Sequence, residues 1–151
     1  SFGERMEISS IFYLMKKRGF LGRKTGKGFY VHTGKMKVPN REVYSMIPKK
    51  TRNKYSGAFS LKRMIYPMIN EGARCLEEKV VNLPHTIDYG MIMGTGFPPI
   101  RGGLMRYADS IGLDSIVRDL KRLEMEFGLN RFQPCHSLMD LSLKQGRFYS
   151  S

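Results

Sequence analysis

Cysteine is scarce in this 151-residue chain, which has only Cys75 and Cys135. Two thiols exclude a disulfide-built scaffold and fit a reducing compartment. No apolar run reaches the ~18 residues that a membrane-spanning helix needs. The opening Ser1-Phe2-Gly3-Glu4-Arg5 has neither the apolar h-region nor the cleavage site of a secretory signal. Acidic side chains are nearly missing from residues 1–63, with 3 Asp and Glu against 16 Lys and Arg, while residues 64–151 balance 10 against 10. The whole net charge of +13 therefore lies in the N-terminal part. Such a segment suits phosphates, anionic lipid or an acidic protein surface, and a solvated connector has the same composition; both readings stand.

Several chemical signatures are missing too. Phe20, Phe29, Tyr30, Tyr44 and Tyr55 lie among the basic residues, but no RNA- or DNA-binding module accompanies them, so nucleic acid is not an expected partner. A Walker loop needs four residues before its Gly-Lys and a Ser or Thr after it; here three residues separate Gly22 from Gly26-Lys27, and Gly28 follows. Gly94-Thr95-Gly96 has Pro99 where a dinucleotide fingerprint needs its third glycine, and no strand precedes it. His32, His85, His136, Cys75 and Cys135 share no metal-ligand spacing. Cys135 and His136, being adjacent, make a poor nucleophile–base pair. Cys75 reads as a small core residue, and the eleven methionines as core filling or an adaptable apolar surface.

What is present is an echo. Gly19 to Tyr30 contains Gly22-Arg23-Lys24-Thr25-Gly26-Lys27-Gly28-Phe29-Tyr30, and the C-terminal region contains Gln145-Gly146-Arg147-Phe148-Tyr149. Each follows an amphipathic stretch, Ile8 to Met15 in one case and Leu138 to Leu143 in the other. The spacing is too long for a solenoid and points to a duplicated domain. Residues 1–55 are thus expected to be the tail of a first copy plus a linker, and residues 56–151 a second copy. On this reading the chain begins inside a repeat and is a piece of a larger protein.

The pattern is helical almost throughout. A helix is expected over 4–18, ended by Gly19, then a glycine-shaped loop, an extended Phe29-Tyr30-Val31, turn chemistry over 32–39, and a short helix capped by Asn40. Phe29, Tyr30 and Val31 are apolar in a basic stretch and are expected to dock this tail onto the second copy. Pro48 to Ser56 reads as linker. From Ala58 to Val81, Leu61, Met64, Ile65, Met68, Ile69, Ala73, Leu76 and Val80 recur at helical spacing, with a kink or break expected at Pro67. Further helices are expected from Thr86 to Gly94, from Leu104 to Asp109, from Asp114 to Phe127, and from Pro134 to Lys144. Residues 94–103, with Gly94, Gly96, Gly102, Gly103 and Pro98, need a shaped loop whose Phe97 packs inward. Asn70-Glu71 either satisfies backbone groups freed at Pro67 or meets a ligand there. Asp88 and Asp109, near the glycine loop, could form a carboxylate pair, but helix capping and a salt bridge to Arg101 or Arg106 account for them more simply. Arg23, Lys24 and Lys27 are the candidate anion contacts.

Lys62 to Arg74, Ile87-Asp88, Gly94 to Gly103, and Arg106-Tyr107-Ala108-Asp109 with Gly112 together resemble the C-terminal helical domain of 3-hydroxyacyl-CoA dehydrogenases, as found in the alpha subunit of the multifunctional fatty acid oxidation complex. The resemblance implies an all-α compact bundle of short helices, similar to the C-terminal domain of 6-phosphogluconate dehydrogenase. It implies a parent that also carries enoyl-CoA hydratase activity, and NAD held on a Rossmann domain with a His–Glu dyad, none of them in this chain. It implies other domains of the parent and a thiolase subunit as partners, and acyl-CoA as an indirect one. The setting would be bacterial cytoplasm, or the mitochondrial or peroxisomal matrix in a eukaryote. Catalytic copies of the domain have an Asn immediately before the Arg at the start of the long helix; here that position is Lys62, before Arg63. The resemblance therefore implies a non-catalytic second copy, bracing the catalytic helical domain as a dimer partner would. A free-standing module that binds CoA or another anion through the basic segment is the alternative.

Overall fold

The computed structural model describes residues 8–47 and 56–149. By contacts the chain divides into two compact units, Ser1–Ser56 and Gly57–Ser151. The expected linker at 48–55 lies outside the described residues, as do the first residues of the helix expected over 4–18.

In the first unit, α1 spans Ser10–Lys17. It stops because Gly19 turns left-handed at φ 72°. The Gly19 N–H then bonds the Lys16 carbonyl at 3.0 Å, and the Phe20 N–H the Met15 carbonyl at 2.9 Å, a Schellman closure. Residues 21–27 form a closed excursion: a 3-10 turn over Arg23–Thr25, with the Gly22 N–H bonded to the Lys27 carbonyl at 2.8 Å. An antiparallel hairpin follows, β1 Tyr30–Thr33 against β2 Met36–Pro39, from Tyr30↔Pro39 to Thr33↔Met36. The turn chemistry expected over 32–39 is in fact mostly strand, since a four-residue strand is too short to show a period. Asn40 caps α2, Arg41–Met46, as expected. Its side chain accepts the Glu42 N–H at 3.1 Å and donates to the Gly28 carbonyl at 2.9 Å.

The second unit is a helical bundle. The long helix α3 spans Gly57–Glu77 without a break at Pro67. Its covered line runs through Phe59, Tyr66, Ile69 and Ala73. Leu61 and Met64 face outward, exposed by 53% and 67%. Spacing identified a helix but not which of its apolar residues would be covered. At its C-terminus Lys79 takes φ 55°, and the Val80 N–H reaches the Cys75 carbonyl at 2.9 Å, which ends the helix before Val81.

Helix α4 spans Pro84–Thr95, with Pro84 at its first turn and Gly96 left-handed at its end. Thr86 is inside it rather than capping it, because Pro84 already has the φ that a first turn needs. Helix α5 is Leu104–Ile111 and α6 is Leu113–Phe127. Asp114, expected as the cap of α6, lies in its first turn, and Gly112 precedes the helix. Ile116, Val117, Leu120 and Leu123 are buried as their spacing predicts. Helix α7 is His136–Leu143. Helices α5, α6 and α7 all pack against α3, and α4 packs on α5. Gly94 and Thr95 still belong to α4 and Pro99–Arg101 form a 3-10 turn, so the irregular stretch is shorter than the expected 94–103; its Phe97 is 9% exposed, with the ring 6.0 Å from that of Tyr107, and so packs inward.

Candidate functional site

The polar motif residues of the second unit group into three nodes, two of which hold backbone. The first centres on Asp88, 4% exposed in the middle of α4. Its carboxylate accepts the Met105 N–H at 2.5 Å and the Arg106 N–H at 3.3 Å, so a side chain from one helix caps the start of another. It also accepts the Tyr149 hydroxyl at 2.6 Å. Burial and then this bond push the Tyr149 phenol above its ordinary range. Gly103 makes the cap possible: it sits at φ 108°, and an added Cβ there would overlap Asp88, 2.6 Å from Oδ1. Asp109 grips the same C-terminal strap from α5, accepting the Phe148 N–H at 2.9 Å and the Tyr149 N–H at 3.0 Å.

Asp88 and Asp109 therefore act as capping groups. The arginines expected to pair with them lie over aromatic rings: Arg106 is 4.0 Å from the Tyr149 ring centroid and Arg101 is 5.5 Å from that of Tyr107. The guanidinium groups lie against aromatic faces, and both carboxylates are occupied by backbone N–H groups. Gly102, also left-handed, has the Arg106 side chain beside it.

The second node lies along α3. Asn70, 2% exposed, donates to the Gln133 carbonyl at 2.8 Å and accepts the Cys135 N–H at 2.8 Å. Its partners lie far along the chain rather than at the backbone opened by Pro67, which corrects the local reading. One turn or more below, Glu77 accepts the Ser137 N–H at 3.0 Å, and Ser137 donates to the Ala73 carbonyl at 3.2 Å. That N–H bond, above all, holds the Glu77 carboxyl below its usual range. Glu71 forms an ion pair with Arg74 at 3.7 Å. Burial pushes the Cys135 thiol up, which keeps it protonated and unreactive. Asn70→Ala is expected to cost about 1–3 kcal/mol, since it orphans the buried Cys135 N–H and leaves the Gln133 carbonyl only its 3.5 Å bond from Arg74. Urea titration followed by circular dichroism measures this, and a loss under about 0.5 kcal/mol would refute the clamp.

At the third node, near the start of α3, Lys62 meets Asp119 of α6 at 2.7 Å, and Arg63 lies 4.2 Å from the Phe127 ring centroid. The Asp119 bond raises the Lys62 ammonium above its ordinary value. In the first unit, Arg23 and Lys24 are exposed on their loop, while Lys27 is paired with Glu42 at 3.1 Å. Neither Glu77 nor the Asp109–strap contacts were legible in the sequence, because their partners are 60 and 39 residues away.

Among the described residues no group of three or more His, Cys, Asp or Glu could hold a metal. The described strands are a single antiparallel hairpin, not the strand–glycine turn–helix cradle that grips a dinucleotide. No described helix is long and apolar enough to cross a membrane.

Residues 59–149 match the family described as 3-hydroxyacyl-CoA dehydrogenase, C-terminal domain. The chain is similar to the fatty acid oxidation complex subunit alpha of Vibrio vulnificus, 36% identical over 149 residues, covering 99% of this chain and 21% of that protein. The subunit alpha of Shewanella loihica is likewise 36% identical over 149 residues, with 97% and 21% covered. The crystal structure of the dehydrogenase part of multifunctional enzyme 1 from C. elegans is similar with a TM-score of 0.67 and 30% identity, covering 89% of this chain and 33% of that one. The chain thus spans about a fifth of the length of these curated relatives.

Proposed function

The chain belongs to the 3-hydroxyacyl-CoA dehydrogenase C-terminal domain family, and on that premise we propose that residues 56–151 are a non-catalytic second helical domain of a fatty acid oxidation multifunctional enzyme, with residues 1–55 ending a first copy. Its role is to brace the catalytic helical domain in a dimer-like arrangement. The observation that supports this most is Lys62. It stands where catalytic copies offer an Asn to the substrate, and it is tied to Asp119 at 2.7 Å. The other polar motif groups hold backbone: Asp88, Asn70 and Glu77 each accept main-chain N–H bonds.

On this reading NAD and the His–Glu dyad belong to other domains of the parent, and acyl-CoA touches this domain only through them. A thiolase subunit is a partner of the whole assembly. The compartment is bacterial cytoplasm, or the mitochondrial or peroxisomal matrix in a eukaryote. The pure chain is expected to reduce no NAD with a 3-hydroxyacyl-CoA in a spectrophotometric assay. Turnover above the buffer rate would overturn the non-catalytic reading.

A free-standing module that holds CoA or another anion is the second reading. Arg23 and Lys24, exposed on a glycine-shaped loop, favour it. Titration with CoA at low and high salt separates the two. Binding that weakens with salt, by a chain with no affinity for the parent's other domains, would select the module.

A further inference from the structure

Helix α6, Leu113–Phe127, sorts its side chains by face. Ile116, Leu120 and Leu123 are buried against the core. On the opposite side Arg118, Lys121, Arg122 and Met125 follow one another at i, i+3, i+4 and i+7, so they form one outward stripe, and all four are exposed. Three of them are cations. Met125, exposed by 81%, stands at the end of the row.

Composition alone does not give the stripe its charge, because residues 64–151 hold 10 cations and 10 acids. Half of those acids turn inward: Asp88, Asp109 and Glu77 accept backbone N–H groups, Glu71 pairs with Arg74, and Asp119 pairs with Lys62. Glu124 and Glu126 lie on α6 itself, but about 100° to either side of Met125 and off the stripe. The cations of α6 point outward with little to hold them. Arg118 has a 3.9 Å contact with Asp114, both side chains 72% exposed, and such a pair contributes little. Among the described residues no hydrogen bond or ion pair engages Lys121 or Arg122. Lys62 and Arg63 reach α6 from α3, at Asp119 and at the Phe127 ring, and add positive charge along its flank.

Most anionic partners need something this stripe lacks. A bilayer needs a continuous apolar face, and Met125 is the stripe's one apolar residue. A single-stranded nucleic acid needs aromatic platforms for its bases, and the stripe has none. A small phosphate compound needs a concave pocket, whereas this is the convex side of a helix. A protein segment rich in Asp and Glu needs what is here: a row of cations for its carboxylates and an adaptable methionine as apolar anchor.

We propose that the α6 stripe of Arg118, Lys121, Arg122 and Met125 is a docking surface for an acidic protein segment, whose carboxylates meet the three cations while an apolar residue covers Met125. The row rises about 10 Å along the helix, which three extended residues span. The partner segment therefore carries its acids on alternate residues, with the apolar residue beside them. This goes beyond the bracing role and does not rest on it.

The probe is a short synthetic peptide of glutamates around a central leucine, titrated into the whole chain by calorimetry and followed by amide NMR shifts. The basic residues 8–47 offer a competing site, and the shifts tell the two apart. The expected result is shifts centred on residues 118–125, with affinity lowered about tenfold or more by the triple variant Arg118→Ala, Lys121→Ala, Arg122→Ala. Met125→Ser, or serine in place of the peptide's leucine, is expected to weaken binding about fivefold. All four positions are exposed, so the variants are expected to melt as wild type does; if the triple variant does not, Arg122→Ala alone replaces it, with a smaller loss of about threefold. Shifts confined to residues 8–47, or affinity unchanged in both the cation and the Met125 variants, would overturn the proposal. So would tighter binding to phosphatidylglycerol vesicles or to inorganic pyrophosphate than to the peptide.

Discussion

Asp88→Ala is expected to destabilise the helical unit by about 3–5 kcal/mol, because hydrogen bonds to a charged acceptor contribute about 1.5–3 kcal/mol each and the Met105 N–H left behind is buried. The carboxylate is almost fully buried and serves three donors at once: the N–H groups of Met105 and Arg106 and the hydroxyl of Tyr149. Alanine leaves the first turn of α5 uncapped and frees the strap end. Tyr149→Phe removes one of the three donors and is expected to cost about 1–2 kcal/mol. Urea denaturation of both variants checks the ordering. If Asp88→Ala were no worse than Tyr149→Phe, the cap on α5 would be unimportant and the node merely a strap latch.

Gly103→Ala is expected to be at least as severe, about 3–6 kcal/mol, summing left-handed backbone strain with overpacking of a closed contact. Gly103 combines φ 108° with a Cβ position already filled by the Asp88 side chain. Glycine is required there for both reasons. The comparison with Gly96 makes the test specific. Gly96 is also left-handed, at φ 72°, but nothing lies within 4 Å of its Cβ position. Gly96→Ala should therefore cost only the backbone strain, about 1–2 kcal/mol. Equal losses at the two positions, read from thermal melts, would show that the Asp88 contact is not what fixes Gly103.

The helices themselves were legible. The face of α6 follows from Ile116, Val117, Leu120 and Leu123, and its end from Gly128, which is left-handed at φ 60°. Asn40 was legible as a cap because its acceptor meets an N–H two residues on. Asp114 misled for a related reason. An acidic residue before a helical run has a cap's composition, but Gly112 at φ 93° had already set the helix start. Lys62 was marked by comparison with the family pattern, yet nothing local in the sequence pairs it with Asp119, 57 residues away.

By itself the sequence determined the helical class, the echo between the two tails, the basic bias of the N-terminal part and the family. Each of these is carried by period, by short motifs or by a sum over side chains, and none needs distant residues to meet. Only the tertiary structure decided that Asp88, Asn70 and Glu77 spend their polar atoms on the backbone of remote turns. It also decided that Leu61 and Met64 face outward while Tyr66 and Ile69 face in. The physical reason is that a buried donor or acceptor must find a partner in space, and an apolar face is covered only where another element comes to rest. Both depend on how α3 to α7 pack, which no window of the chain contains.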